Sequence, residues 1–382
     1  MKKTTVGAIA VLVPAALVIL AALPVFMGCT ERSVQWTPGK PFPKERINVG
    51  IIHPNEINET SLYDLAHYEG TVEMQRALGL RDDQIIRRVV FEEDQAEAEA
   101  VIREYISEGV NIIIASSWNY MDVCEKLAAE FPNVIFAHAT GTKSNDRNFT
   151  NYAGRIYQGR YLSGIVAGLK TESDKIGFVA AMGKENSEVS GSVNAFALGV
   201  ESVNPEARVY VKVVYSWFDP LGEDEAAKAL IAQGCDVIAQ HTNTTVPQLA
   251  ARNAGVWGIG FYGDVGLSVP DTVLTSVVLR WGGYYSQLAQ SVVNGTFSTT
   301  PYFGGISEGV VDITPLAPDL TGPEIAAAVE DARRNIREGR FNVFDGEMET
   351  NDGSIIGTKG ETLLDSEIIG NIHWYYRNVV EL

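Results

Sequence analysis

Cysteine is scarce: the 382 residues hold three, Cys29, Cys124 and Cys235, and no CxxC pair. That excludes a disulfide framework and leaves Cys124 and Cys235, in helix-like and strand-like apolar stretches, as expected buried thiols. Histidine is nearly as rare. His53, His67, His138, His241 and His373 lack metal-ligand spacing, so no metal site is expected. Basic charge is also short: 30 Lys and Arg against 48 Asp and Glu give a net charge of −18. A surface of that sign disfavours nucleic acid and anionic headgroups as partners. Catalytic signatures are scarce too, with no HExxH or Walker A sequence. Gly258-Ile-Gly260-Phe-Tyr-Gly263 fits GxGxxG, yet its glycines lie within a strand-like run and no helix opens after Gly263. Glu185 and Glu188 form a conceivable acid–base pair, but a solvated loop is the simpler reading. No catalytic residue, cofactor or metal is assigned.

Long apolar runs are absent from the body of the chain and present once, at its start. Met1-Lys2-Lys3 precedes an uncharged apolar stretch from Val6 to Phe26. Met27-Gly28-Cys29 closes it, and the Cys at this apolar–polar boundary resembles a lipobox. Residues 1–28 then read as a lipoprotein leader, Cys29 as the lipidated residue and 29–45 as a Pro-rich tether. An uncleaved membrane anchor is the alternative, since the run reaches the roughly 20 residues that span a bilayer. Either way the body is expected outside the cytoplasmic membrane, anchored to its outer face by a lipid or a helix.

The body alternates strand and helix patterns. Around Asn151–Pro220, a helix-like Ile156–Leu169, a strand Lys175–Ala181, a helix Glu188–Val203 and a strand Arg208–Tyr215 make a βαβ unit, which needs both faces covered. Similar alternation precedes it, with strands at Ile47–Ile52, Ile85–Phe91, Val110–Ala115 and Asn133–Ala137. Thr60 or Ser61 opens one helix, Asp94 caps a second, and Met121–Glu130 is a third. Alternation also follows, through strands Asp236–Gln240 and Val256–Phe261 and helices Asp224–Gln233 and Thr245–Ala254. The fold class is therefore α/β, with two lobes and a cleft between them. Lobe 1 is expected over 46–154 with a returning segment from about 281, and lobe 2 over 155–280. Residues 306–382 complete the lobes through a strand, a helix Pro323–Glu338 and a terminal hairpin around Asn351-Asp-Gly353.

In open α/β sheets ligands meet the loops at the carboxyl ends of the strands. Those loops carry Trp118, His138, Glu188, Trp217, Asn243 and Asp264. Rings with a few neutral polar groups suit a flat, weakly polar ligand. Clustered Lys and Arg for a phosphate are missing; only Arg280 is near, so nucleotides are not expected.

The runs Phe131-Pro-Asn-Val-Ile-Phe-Ala-His-Ala-Thr-Gly141, Tyr157-Gln-Gly-Arg-Tyr-Leu-Ser-Gly-Ile-Val-Ala-Gly168 and Gly191-Ser-Val-Asn-Ala-Phe-Ala-Leu-Gly199 carry a family resemblance. With Trp217-Phe-Asp-Pro220, Gln240-His-Thr242 and Trp281-Gly-Gly-Tyr-Tyr285 they span most of the chain in order. The chain resembles the basic membrane protein family, the purine-nucleoside-type substrate-binding lipoproteins of ABC importers, and within it the branch associated with adenine and related purines. The resemblance implies a type I periplasmic-binding-protein fold, each lobe a doubly wound, mostly parallel sheet, closing over a ligand. It implies a base sandwiched by Tyr63 and Trp217, with Asp264 at the family's acidic position. Departures from the family pattern are Arg280 for a usual Lys, Asn243 for an Asp, and His138 with Thr140 in place of an Asp-containing loop. These shift the expectation from a nucleoside toward a free base. Asp264, Asn243 and His138 are expected to hydrogen-bond the ligand edge.

The expected function is a surface-tethered, monomeric receptor, not an enzyme, that passes a purine base or nucleoside to an ABC permease and its ATPase. A sensory receptor on the same fold and a tethered nucleoside hydrolase stay open as alternatives.

Overall fold

Branched apolar runs such as Ile112-Ile-Ile-Ala115 become strands buried along their whole length, and helices cover their faces. The computed structural model describes residues 35–58, 61–91 and 94–382; the apolar leader and Cys29 lie outside the described residues. No helix among the described residues is long and apolar enough to cross a membrane.

The first lobe takes β1 (Val49–His53), α1 (Leu62–Leu78), β2 (Ile85–Val89), α2 (Gln95–Ser107), β3 (Ile112–Ala115), α3 (Met121–Glu130), β4 (Ile135–Ala139) and β5 (Phe149–Gly154). The chain then crosses to the second lobe for α4 (Ile156–Lys170), β6 (Lys175–Ala180), α5 (Ser187–Glu201), β7 (Arg208–Val213), α6 (Pro220–Ala232), β8 (Val237–His241), α7 (Val246–Ala254), β9 (Trp257–Tyr262) and β10 (Val273–Leu279). It returns with α8 (Gly282–Asn294) and β11 (Tyr302–Gly304), and crosses again to β12 (Val311–Ile313) and α9 (Pro318–Arg337). A short hairpin, β13 (Met348–Glu349) and β14 (Ile355–Ile356), precedes α10 (Asp365–Asn371) and β15 (Val379–Glu381).

One sheet has six strands in the order β11-β5-β4-β3-β1-β2, all parallel. The other has seven, β12-β10-β9-β8-β6-β7-β15, parallel except for the antiparallel β10–β12 pair. This is a two-lobed α/β fold of the periplasmic-binding-protein type. The crossovers brace one another: the Arg155 amide donates to Gly304 O at 2.7 Å, and the Arg280 amide to Val310 O at 2.7 Å.

Helices α4 and α5 approach closely because each presents a glycine. A Cβ at Gly164 would meet the Phe196 carbonyl oxygen at 2.2 Å, and one at Gly199 the Tyr161 carbonyl oxygen at 2.2 Å. Cys124 and Cys235 are buried free thiols, both pushed up by burial.

Ser61 precedes α1 and Asp94 caps α2 by accepting from the Glu97 amide at 2.8 Å, both as expected, while Thr60 lies outside the described residues. Several other sequence expectations shift. The strand expected at Asn133–Ala137 runs two residues later. β5 was not expected, because its Thr150 and Asn151 interrupt the apolar pattern; both are nonetheless buried. The hairpin at Asn351–Gly353 forms but is not terminal, since α10 and β15 follow it.

Candidate ligand-binding site

The strand-end loops of both lobes enclose a cavity of about 540 Å³. From lobe 1 come Asn55 after β1, Tyr63 in the first turn of α1, Ser117 and Trp118 after β3, and Thr140 after β4. From lobe 2 come Glu185 and Glu188 after β6, Trp217 after β7, Asn243 after β8 and Tyr262 at the end of β9. Three of the four non-glycine residues with positive φ among the described residues, Thr140, Tyr215 and Tyr262, stand at these strand ends. Left-handed backbone costs an L-residue energy and persists where the surroundings impose it, often at functional sites.

The Tyr63 ring is held by its protein neighbours. Its hydroxyl donates to Ser116 O at 2.6 Å, and its ring meets Tyr262 edge-on at 5.1 Å. Burial, reinforced by neighbouring tyrosines and carboxylates, pushes its hydroxyl well above the ordinary range, so it stays protonated and donates. Ser61 does not cap α1 with its side chain; its hydroxyl donates to Asp64 at 2.6 Å. The Tyr63 amide is capped instead from the other lobe, by Asn243 Oδ1 at 2.8 Å. The Asn243 amide in turn donates to Trp217 O at 2.9 Å. One asparagine thus ties together the backbones of the two aromatic residues that flank the cleft.

On the lobe 2 side, Glu188 Oε1 lies 3.4 Å from His241 Nε2, and the His241 ring lies 5.8 Å from Trp217. His241 is wholly buried, and burial pushes it down to about 4, so it is neutral. Arg160 is also wholly buried, 3.9 Å above the Phe261 ring. Burial lowers its guanidinium to about 9, which leaves it cationic at neutral pH. Among the described residues lining the cavity there is no Lys or Arg, while Glu185 and Glu188 supply carboxylates. The wall is built to accept hydrogen bonds from a neutral or cationic ligand.

Of the residues singled out from sequence, Tyr63, Trp118, Glu188, Trp217 and Asn243 line this one cavity. Three do not. His138 is wholly buried behind it, with Nε2 donating to Ser117 O at 2.7 Å, and burial pushes it down to about 4. It supports the Ser117–Trp118 loop rather than facing a ligand. Asp264 is exposed and caps its own turn, accepting from the Gly266 amide at 3.1 Å. Arg280 is exposed on a crossover that its amide braces. Asn243, expected to read the ligand edge, spends its side-chain oxygen on Tyr63 and its nitrogen on Ser61 Oγ at 3.3 Å. Tyr262, Trp281 and, from the stretch Ile368–His373, residues Ile368, Ile369, Gly370 and His373 line the cavity without having been assigned to it. Trp281 and Tyr157 stood in the resemblance runs and were the legible part; nothing in the sequence marked Ile368–His373. No cluster of His, Cys, Asp or Glu among the described residues is able to hold a metal.

Comparison with known proteins agrees with this architecture. The family model for PnrA-like ABC transporter substrate-binding proteins (Bmp) matches residues 47–337. A purine-binding protein of Brucella abortus is 36% identical over 337 residues, covering 87% of this chain and 93% of its own. A Haloferax volcanii ABC transporter protein, whose name gives glucose as its ligand, is 33% identical over 305 residues, covering 80% of this chain and 75% of its own. Among solved structures, an ABC transporter solute-binding protein from Conexibacter woesei superposes with a TM-score of 0.65 at 21% identity. That match covers 78% of this chain and 98% of the other, and at such identity it speaks to the fold alone.

Proposed function

The chain belongs to the PnrA-like family of ABC transporter substrate-binding proteins, and from that premise we propose that it captures a purine base, or the nucleoside built on it, between its lobes. Members of this family are solute receptors rather than enzymes and work outside the cytoplasm. The ligand is handed to an ABC permease powered by its ATPase, and the receptor acts as a monomer held at the membrane through Cys29 or an uncleaved N-terminal helix. The observation that carries the ligand reading is the pair Tyr63 and Trp217 on one cavity, joined through Asn243. Each ring adds roughly 0.5–1.5 kcal/mol beyond area burial when a flat ligand stacks on it. Glu188 supplies the acceptor that the N–H groups of a purine need, and the absence of Lys and Arg from the described lining leaves a phosphate without a partner. The name of the Brucella relative points to the same ligand class.

The test is a thermal-shift screen on full chain stripped of carried-over ligand, with adenine, guanine, hypoxanthine, their nucleosides, glucose and amino acids. A binder at 100 times its Kd adds about 2.7 kcal/mol of stability. A purine should raise the melting temperature and change Trp217 fluorescence, and Trp217→Ala should lose at least tenfold in affinity. Stabilisation by glucose with none by any purine refutes the ligand reading. For the anchor, labelled palmitate should enter wild type and not Cys29→Ala; equal labelling refutes lipidation at that residue.

A further inference from the structure

The matched family region ends at residue 337, yet the cavity does not. Ile368, Ile369, Gly370 and His373 line it, from the stretch after the hairpin. This stretch is strapped to one face of α5. Ser187 Oγ donates to Ile369 O and Ser190 Oγ to Ile372 O; Asn194 Nδ2 donates to Trp374 O at 2.8 Å, and Asn194 Oδ1 accepts from the Tyr376 amide at 2.8 Å. Ser190 and Asn194 are wholly buried polar residues on a helix that otherwise packs into the apolar core, and these bonds explain them. The other end is tied to a crossover, where Arg155 meets Asp365 at 2.8 Å and the Tyr157 hydroxyl donates to Asp365 at 3.2 Å.

We propose that residues 364–373 form the specificity wall of the ligand site, closing it with the apolar Ile368 and Ile369 and selecting a free base over its nucleoside. A ribose hydroxyl pressed against Ile368 and Ile369 gives up water and gains no partner, which disfavours it strongly. His373 adds a polar group of defined sense. Its Nδ1 lies 2.9 Å from the Lys184 carbonyl oxygen, which only accepts, so Nδ1 carries the proton. In the neutral ring Nε2 is then an acceptor, suited to a ligand N–H. The selection of base over nucleoside rests on the purine reading above; the wall itself does not.

Gly370 gives the sharpest test. It lines the cavity, and a Cβ built there meets nothing within 4 Å, so a larger side chain grows into open space. Binding of adenine, adenosine and glucose is measured by calorimetry on full chain, for wild type, Gly370→Phe and Ile369→Ala. Gly370→Phe should lose at least 100-fold in affinity for whichever compound binds wild type, with the melting temperature of the empty protein unchanged. Ile369→Ala should shift the adenosine-to-adenine affinity ratio at least tenfold toward adenosine. Wild-type affinity in Gly370→Phe overturns the wall, and an unchanged ratio in Ile369→Ala overturns its role in selection. Wild type that binds glucose and neither purine compound overturns the purine reading and the selection of base, and Gly370→Phe with glucose then decides the wall. Where wild type takes none of the three, the selection of adenine over adenosine is overturned, and the compound that stabilises it in the thermal-shift screen, measured on Gly370→Phe, decides the wall.

Discussion

Asp64 in lobe 1 and Arg160 in lobe 2 are both wholly buried charged side chains near the cleft, and the two are treated in opposite ways. In lobe 1 the Asp64 carboxyl is wholly buried and fully engaged: Ser61 Oγ donates at 2.6 Å, Asn55 Nδ2 at 3.1 Å, and the Asn55 amide at 3.4 Å, with His53 at 3.7 Å. In lobe 2 the Arg160 guanidinium is as deeply buried, and none of its three nitrogens finds a hydrogen-bond partner among the described residues. It rests on the faces of Phe261 at 3.9 Å and Phe178 at 5.3 Å, and feels the carboxylate of Glu188 through space. A satisfied buried charge is scaffolding: Asp64 fixes Asn55 and the first turn of α1 on the lobe 1 wall. An unsatisfied one is costly, and it persists here beneath Glu188, an acceptor on the lobe 2 wall.

Substituting both residues tests that contrast, and it carries the largest expected effect. Asp64→Ala leaves Ser61 and Asn55 donors buried without their acceptor and should lower unfolding stability by about 3–5 kcal/mol, the range for breaking a buried charged pair. Arg160→Met removes a charge that has no hydrogen bond to lose, and should be neutral or stabilising by about 1–4 kcal/mol in the empty protein. Its cost should appear in ligand affinity, because Glu188 on the cavity wall loses the buried cation with which it interacts. Urea midpoints and calorimetry on the two variants separate these outcomes. Equal destabilisation would mean that Arg160 is scaffolding too.

How much of this was legible in the sequence follows the same division between local and distant causes. The α/β alternation was readable because buried parallel strands are continuous apolar runs, and α3 falls on Met121–Glu130 as its pattern predicts. The loops that bring Trp118, Glu188, Trp217 and Asn243 to one cavity were readable from strand ends alone, whereas Tyr63, in the first turn of α1, was legible only through the family resemblance. Asp264 shows where that reasoning runs out. β9 extends to Tyr262, whose φ of 63° turns the chain, so the tyrosine lines the cavity and the aspartate two residues on caps an exposed turn. The wall at Ile368–His373 was not legible, because what holds it is Ser187, Ser190 and Asn194, about 180 positions earlier in the chain. Nor does composition show which buried charge is satisfied.

Lowering the pH sharpens the comparison through the buried histidines, at a somewhat smaller scale. His138 in lobe 1 and His241 in lobe 2 are both pushed by burial from 6.5 down to about 4. The folded value lies below the unfolded one, so protons favour the unfolded chain. The stability each neutral ring contributes is whole above about pH 6.5 and is lost as the pH falls toward 4, by up to about 3 kcal/mol per histidine. Urea unfolding at pH 7.5, 6, 5 and 4.5 should therefore steepen below pH 6.5, and His241→Phe should remove only part of that slope, because His138 and the wholly buried His67, which burial also lowers, contribute in the same sense. Arg160→Met should flatten the His241 part as well, because the guanidinium is one of the influences lowering it. A stability profile flat down to pH 5 would show that these rings find partners when protonated.

The smallest expected effect concerns the contact that joins the two lobes. Asn243 accepts from the Tyr63 amide at the start of α1, donates to Ser61 Oγ, and holds Trp217 through its own backbone. Its side chain acts as an N-terminal cap supplied across the cleft, and caps are typically worth about 1 kcal/mol. Because cap and helix sit on different lobes, that energy favours the closed arrangement rather than the fold of either lobe. Asn243→Ala should weaken ligand binding about fivefold, which is what about 1 kcal/mol amounts to. It should leave the urea midpoint of the empty protein within about 0.5 kcal/mol of wild type. Asn243→Asp keeps the acceptor for the Tyr63 amide and loses only the donor to Ser61, so it should recover most of the affinity. Asp264→Ala, an exposed carboxylate outside the cavity, serves as the control and should leave affinity unchanged. Should Asp264→Ala weaken binding while Asn243→Ala does not, the readers of the ligand lie on the loop after β9, and the cap across the cleft contributes only to the resting geometry.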